Sequence, residues 1–243
     1  MIKLAVFVEG QTEQLFVQRL VQEVAGHHNV EIELAKASHG GKSGLPRRFL
    51  LLQPPKPLGK QFFVLIVDSA TDSRVASDIR DQYGSLVSAG YSLVLGLRDV
   101  YPELRSEIPR IRRAIDGVLP KGSVSVNVVL AIMEVEAWFL AEHTHFARLY
   151  PGLTLEMANN AIGDDLQTLD VEDIAHPTET LNTIYQLVGR AYRKKKDQVS
   201  DIVKVLDYDH LYVELRNGIT AFSSLCDHLD SFLSSETAPK SPT

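Results

Sequence analysis

Acidic side chains recur in this sequence where apolar runs stop. Glu9 closes the run 4–8, Asp68 and Asp72 follow 62–67, Asp99 and Glu103 follow 91–97, and Glu134 and Glu136 follow 124–132. An acid beside a turn usually caps or solvates the backbone, so each alone says little. Four such places say more. If the runs are parallel strands their acids share one rim, and like charges gathered there repel unless a cation neutralises them or protons are retained. A hard divalent ion such as Mg²⁺, or Mn²⁺ in its place, accepts a few carboxylates and completes its shell with water and phosphate oxygens. That suits phosphodiester chemistry, in which the ion polarises the phosphoryl oxygen and acidifies a bound water.

Other chemistries find less support. His27-His28 and the pair His143 and His145 have no third ligand spaced to join them, which makes a zinc hydrolase a minor reading. Gly41-Lys42-Ser43 lacks the leading glycine of a phosphate-binding P-loop, since Lys36 stands there, and no long amphipathic helix follows. Lys42, Arg47 and Arg48 are left as candidate phosphate contacts from a loop. The one dense basic patch runs Arg190-Ala191-Tyr192-Arg193-Lys194-Lys195-Lys196. It reads either as a solvated helix end or as a phosphate contact, with Tyr192 able to stack on a base.

Apolar periodicity supplies the elements that must carry these residues. The stretch 4–21 is a strand, a sharp turn at Gly10 and a helix, with Glu13 in the first helical turn where the dipole favours a carboxylate. Residues 30–37 form a second strand, and the prolines at 54, 55 and 57 make a connector. Val75, Ile79, Leu86 and Val87 mark one covering helix. Leu104, Ile108, Ile111, Ile115 and Val118 mark another, with Pro109 predicting a kink or a later start. Strands separated by helical stripes imply an α/β fold, a mostly parallel sheet with helices on both faces and all strand ends on one edge. Trp138, Phe139 and Leu140 belong to the core. Glu134 and Glu136 share a side if the strand continues that far and diverge if a helix has begun.

From about residue 151 the texture is helical, with stripes at Leu181, Ile184, Tyr185 and Val188, at Val199, Ile202, Val203 and Leu206, and at Phe222, Leu225, Leu229 and Phe232. The expectation is an α/β domain over 1–150, a C-terminal helical appendage over 151–233 and a flexible tail over 234–243. A hydrophobic content of 44% with 23% charge is ordinary for a globular protein. No window has the apolar length of a membrane helix, and the single cysteine, Cys226, excludes an internal disulfide framework, so the chain reads as cytoplasmic. A net charge of −6 means that nucleic acid would have to be met by a local basic patch or through bound cations.

The segments VEGQTE, GLRDVYP and MEVEAWFLAE, in that order, resemble a bacterial family of Toprim-like proteins related to the Toprim domain of OLD-family nucleases and often encoded beside AAA or ABC-type ATPases in anti-phage defence loci. The resemblance implies a Rossmann-like Toprim fold and an Mg²⁺-dependent nuclease acting on DNA. Glu9 comes from the first motif and Asp99 from an Asp-x-Asp motif, with Glu13 beside them as a catalytic residue. The chain departs from that motif at Tyr101, where the second aspartate is expected. Either Asp72, Glu103 or Glu136 supplies the missing ligand, with Asp68 and Glu134 supporting, or the metal site is degenerate. The implied partners are nucleic acid and an ATPase, with a homodimer allowed. The alternative is a catalytically silent module that docks on an ATPase or nucleic acid. A flavodoxin-like phosphotransfer domain built on Asp68 or Asp99 is weaker, because no helper lysine stands at a strand end.

Overall fold

The computed structural model describes residues 1–38, 47–53, 60–71 and 74–235. Six strands make one sheet in the order β3-β2-β4-β1-β5-β6. They are β1 (Ile2–Val8), β2 (Val30–Ala37), β3 (Phe49–Leu51), β4 (Phe62–Asp68), β5 (Leu93–Asp99) and β6 (Ser125–Ala131). All neighbours pair in parallel except β3, which runs antiparallel to β2 at the edge.

β1 lies at the centre and is covered on both faces, which is why it reads as an unbroken apolar run. Its side chains alternate. Leu4, Val6 and Val8 enter one core with Phe16, Val17 and Leu20 of α1 (Gln11–Ala25). Ala5 and Phe7 enter another with Val75, Ile79 and Leu86 of α2 (Val75–Ser88). α3 (Ile108–Val118) lies on the α2 side, packing Ile111 and Ile115 on Leu130, and Pro109 falls in its first turn where a missing N–H costs nothing.

The chain leaves β1 through α1 on one face and reaches β5 through α2 on the other, and β4 and β5 flank β1. The strand order therefore reverses beside β1, the place where open α/β sheets form a crevice at their carboxyl ends. The register puts Val8 opposite Asp68 on one side and Leu97 on the other.

The remaining helices are α4 (Glu136–Ala141), α5 (His145–Leu149), α6 (Leu155–Ile162), α7 (Pro177–Gln186), α8 (Lys196–Val205), α9 (Tyr208–Val213) and α10 (Thr220–Leu233). Those after residue 150 contribute to the same core as α1 and the sheet. Phe16 meets Trp138 of α4 and Phe222 of α10 with ring centroids 5.6 and 6.2 Å apart, and Phe232 meets Phe62 of β4 at 5.3 Å. The edge strand β3 and the short helices α5, α6 and α9 give no clear periodic signal in the sequence. Residues 190–195 form the loop between α7 and α8, and the helix begins only at Lys196. Among the described residues no helix is long and apolar enough to cross a membrane.

Candidate metal centre

Three carboxylates meet at this crevice. Asp99 ends β5, Glu134 sits in the turn after β6 and Glu136 opens α4. Each offers an oxygen within 4.8 Å of the other two, and all three are buried. The turn that gathers them is unusual. Met133 has φ +60°, a left-handed conformation uncommon outside glycine, and it turns the chain between the strand and the helix. Glu134 and Glu136 therefore lie neither on one straight strand nor on one helix.

Hydrogen bonds lock the strand exits together. Val100 N–H donates to Ala131 O at 3.0 Å and Tyr101 N–H to Met133 O at 2.8 Å. Val135 N–H donates to Asp99 Oδ1 at 3.2 Å, and Asp99 N–H donates to Glu9 Oε2 at 2.6 Å. Glu13, in the first turn of α1, is buried alongside. The start of α1 is fixed over the sheet by Gln14, whose amide donates to Ala35 O at 2.8 Å and Ile66 O at 3.0 Å, bridging β2 and β4. Gly10 has φ −160°, an extended value open to any residue, so the turn needs no left-handed glycine. What Gly10 provides is room, since a Cβ there would come within 3.4 Å of Glu13 Oε2.

The C-terminal helices close the site. Thr178, in the first turn of α7, donates its N–H to Glu134 Oε2 at 2.9 Å and its hydroxyl to Oε1 at 2.8 Å, so Glu134 caps the positive end of that helix. From the α7–α8 loop, Tyr192 donates its hydroxyl to Glu136 Oε1 at 2.8 Å. Lys194 Nζ donates to Glu134 Oε1 at 2.8 Å and lies 3.0 Å from Glu136 Oε2. The loop is held by Gln198, which accepts from Arg193 N–H at 2.9 Å and donates to Ala191 O at 2.6 Å.

Five buried carboxyls, those of Glu9, Glu13, Asp99, Glu134 and Glu136, thus gather here, and Lys194 reaches two of them, Glu134 and Glu136. Burial, and next the charge of Glu136, push Glu13 up to about 7. Asp99 is raised well above the carboxylate range by burial and then by Glu13, Glu9 and Glu136. Glu136 is raised by burial, against the pull of Lys194. Burial opposes the charge on Lys194, but Glu136, Asp99 and Glu134 together override it and keep the ammonium protonated. Glu136 Oε2 is buried, and among the described residues its one close polar neighbour is the Lys194 ammonium at 3.0 Å. A donor set of carboxylate oxygens alone is the set hard cations prefer, so these residues fit a metal ion.

Not every acid expected at the rim joins the group. Asp68 turns to Lys36, 3.1 Å from its Oδ2, and accepts from Ala70 N–H at 2.7 Å. Glu103 faces Arg98 at 3.5 Å. Asp72 and Lys42 lie outside the described residues. Arg47 points inward, its Nη1 3.0 Å from Asp78 Oδ2 and donating to Ser69 O, so a buried partner claims the guanidinium expected on phosphate. Arg48, Arg193, Lys195 and Lys196 are exposed, whereas Lys194 turns into the acid cluster. His145 is fully buried, with Nδ1 2.6 Å from Glu142 O and Nε2 2.7 Å from Tyr185 Oη, so both ring nitrogens are engaged away from any ion. Sequence reasoning misses Thr178 as a site residue altogether and reads Tyr192 and Lys194 only as outward contacts.

No family model matches this chain, and comparison with curated proteins and with solved structures finds no significant match.

Proposed function

We propose that this chain is a Toprim-like, Mg²⁺-dependent nuclease that cleaves phosphodiester bonds of DNA. The reading rests on one observation: three buried carboxylates from two strand exits bring oxygens within 4.8 Å of one another, with Glu136 Oε2 met among the described residues only by the Lys194 ammonium at 3.0 Å. Asp99, Glu134 and Glu136 would hold the ion, with Glu9 adding charge through its contact with Asp99. The bound ion would polarise a phosphoryl oxygen and acidify water. Glu13, titrating at about 7, is the carboxylate suited to accept a proton from an attacking water at neutral pH. Arg193 and Lys195, exposed on the loop whose Lys194 enters the cluster, and Lys196, which opens α8, would meet flanking phosphates. The motif resemblance adds a setting in bacterial defence with an AAA or ABC-type ATPase as partner.

Supercoiled plasmid incubated with the protein and Mg²⁺ or Mn²⁺ tests this. Nicking is expected from the wild type and lost in Asp99→Asn and Glu136→Gln. Nicking that survives both substitutions, or none with either ion, overturns the assignment. One observation favours the silent docking module as a second reading: Lys194 already neutralises part of the Glu134–Glu136 pair. A protein that never nicks yet binds DNA or an ATPase would support it.

A further inference from the structure

We propose that Lys194 and a divalent cation are alternative occupants of the Glu134–Glu136 carboxylate pair, so that the α7–α8 loop loosens when the ion enters. The inference rests on reading Asp99, Glu134 and Glu136 as a cation site, and not on the nuclease activity itself.

Lone-pair accounting comes first. Glu134 Oε1 already accepts from Thr178 Oγ1 and from Lys194 Nζ, and Oε2 accepts from Thr178 N–H. An oxygen with two donors has no lone pair left for an ion. Glu136 Oε1 accepts from Tyr192, and Oε2 faces Lys194 at 3.0 Å. An ion that takes Glu134 Oε1 and Glu136 Oε2 would sit about 2.1 Å from oxygens that already stand 2.8 and 3.0 Å from the ammonium. Two cations so close in a buried site repel strongly.

Of the groups around the pair, Lys194 is the one built to leave. Thr178 is fixed in the first turn of α7, where its N–H has no partner within the helix and needs the carboxylate. Tyr192 is 2% exposed and ringed by core side chains. The Lys194 side chain is 32% exposed on a flexible four-carbon stem, and solvent rehydrates an ammonium that swings out. Its backbone has φ +50°, a strained value for a lysine, and release of the side chain removes one of the contacts that hold it there, leaving those of Gln198. The resident ammonium also accounts for how acids this crowded stay packed before an ion arrives.

The test is Mn²⁺ binding by the full chain, followed by calorimetry and by electron paramagnetic resonance, in the wild type and in Lys194→Met. The Met variant is expected to bind Mn²⁺ about ten-fold tighter or more, because a competing charge is gone. In the wild type, saturating Mn²⁺ is expected to speed amide hydrogen exchange over residues 190–195. The proposal is overturned if Lys194→Met binds Mn²⁺ no tighter than the wild type, if neither protein binds it, or if wild-type binding leaves loop exchange unchanged. Should circular dichroism show Lys194→Met to be unfolded, the wild-type exchange measurement decides. Tighter binding by Lys194→Met together with faster loop exchange, but without plasmid nicking, would remove the nuclease reading and leave cation exchange standing. Nicking with equal affinities would do the reverse.

Discussion

The backbone N–H of Asp99 donates to Glu9 Oε2 across 2.6 Å, tying the last residue of β5 to the first residue beyond β1. Glu9 therefore has two roles that substitution can separate. Glu9→Ala leaves a buried N–H without its acceptor, which costs about 1–3 kcal/mol. Glu9→Gln keeps an oxygen there and removes a charge that raises Asp99. The expected outcome in urea unfolding without divalent ion is a clear loss for Glu9→Ala and none for Glu9→Gln, with weaker Mn²⁺ binding in both. Equal destabilisation by the two variants would show that the hydrogen bond is not what joins the strand exits.

Gly96 tests how tightly α2 lies on the sheet. A Cβ at that position would stand 2.9 Å from both Val128 Cγ2 and Val75 Cγ1 and 3.2 Å from Ile79 Cδ1. Gly96→Ala is expected to cost about 1–3 kcal/mol through overpacking. Adding Val75→Ala removes one of the clashing methyls, so the double variant should lose less than the sum of the singles. Strict additivity would contradict the close approach.

The strand exits and their acids are legible in the sequence for a physical reason: strands buried on both faces read as unbroken apolar runs, and parallel topology sends every exit to one edge. Which acids converge is not legible. Asp68 gives the same signal as Asp99, and what diverts it is Lys36, placed opposite by a register that only the folded sheet reveals. Lys194 meets Glu134 across 60 residues of chain and Thr178 does so across 44, between segments with no local pattern in common. A basic run with a tyrosine reads as an outward patch because nothing local says that two of its members turn inward. α6 is the opposite case. Its Thr154 cap and its Gly163 at φ +75° are signals the sequence carries, but the eight residues between them span only about two turns, too short for a period to stand out.

Tyr192 isolates one hydrogen bond of the site. Its hydroxyl favours the ionised form of Glu136, so Tyr192→Phe withdraws support only where that carboxylate carries charge. Unfolding is expected to show a loss of about 1–2 kcal/mol at pH 8 that shrinks as the pH is lowered and Glu136, raised by burial, takes up its proton. A loss that does not change with pH would mean that Tyr192 acts by packing alone.

Acid should act on the ion-free protein in two opposed ways. Glu13 titrates at about 7 when folded against an ordinary 4.5, so the folded chain takes up its proton first and stability grows as pH falls from 7 toward 4.5. Asp99 and Glu136, also raised, act in the same direction. His145 is held down to about 3 by burial, against an ordinary 6.5, so the unfolded chain takes up that proton first and stability is lost as pH falls from 6.5 toward 3. A full proton of difference is worth about 1.4 kcal/mol per pH unit. Between 6.5 and 4.5 the histidine offsets about one of the protons taken up by the acids, and below 4.5 it acts without opposition from Glu13. Urea midpoints of His145→Gln should therefore rise more steeply as pH falls from 7 to 4.5 than those of the wild type, in which the histidine offsets part of the gain from Glu13, Asp99 and Glu136. Mn²⁺ should stabilise the wild type more at pH 7.5 than at pH 5, because the ion binds the ionised acids. If His145→Gln follows the wild-type profile on the acid side, the buried imidazole is not the group that sets it.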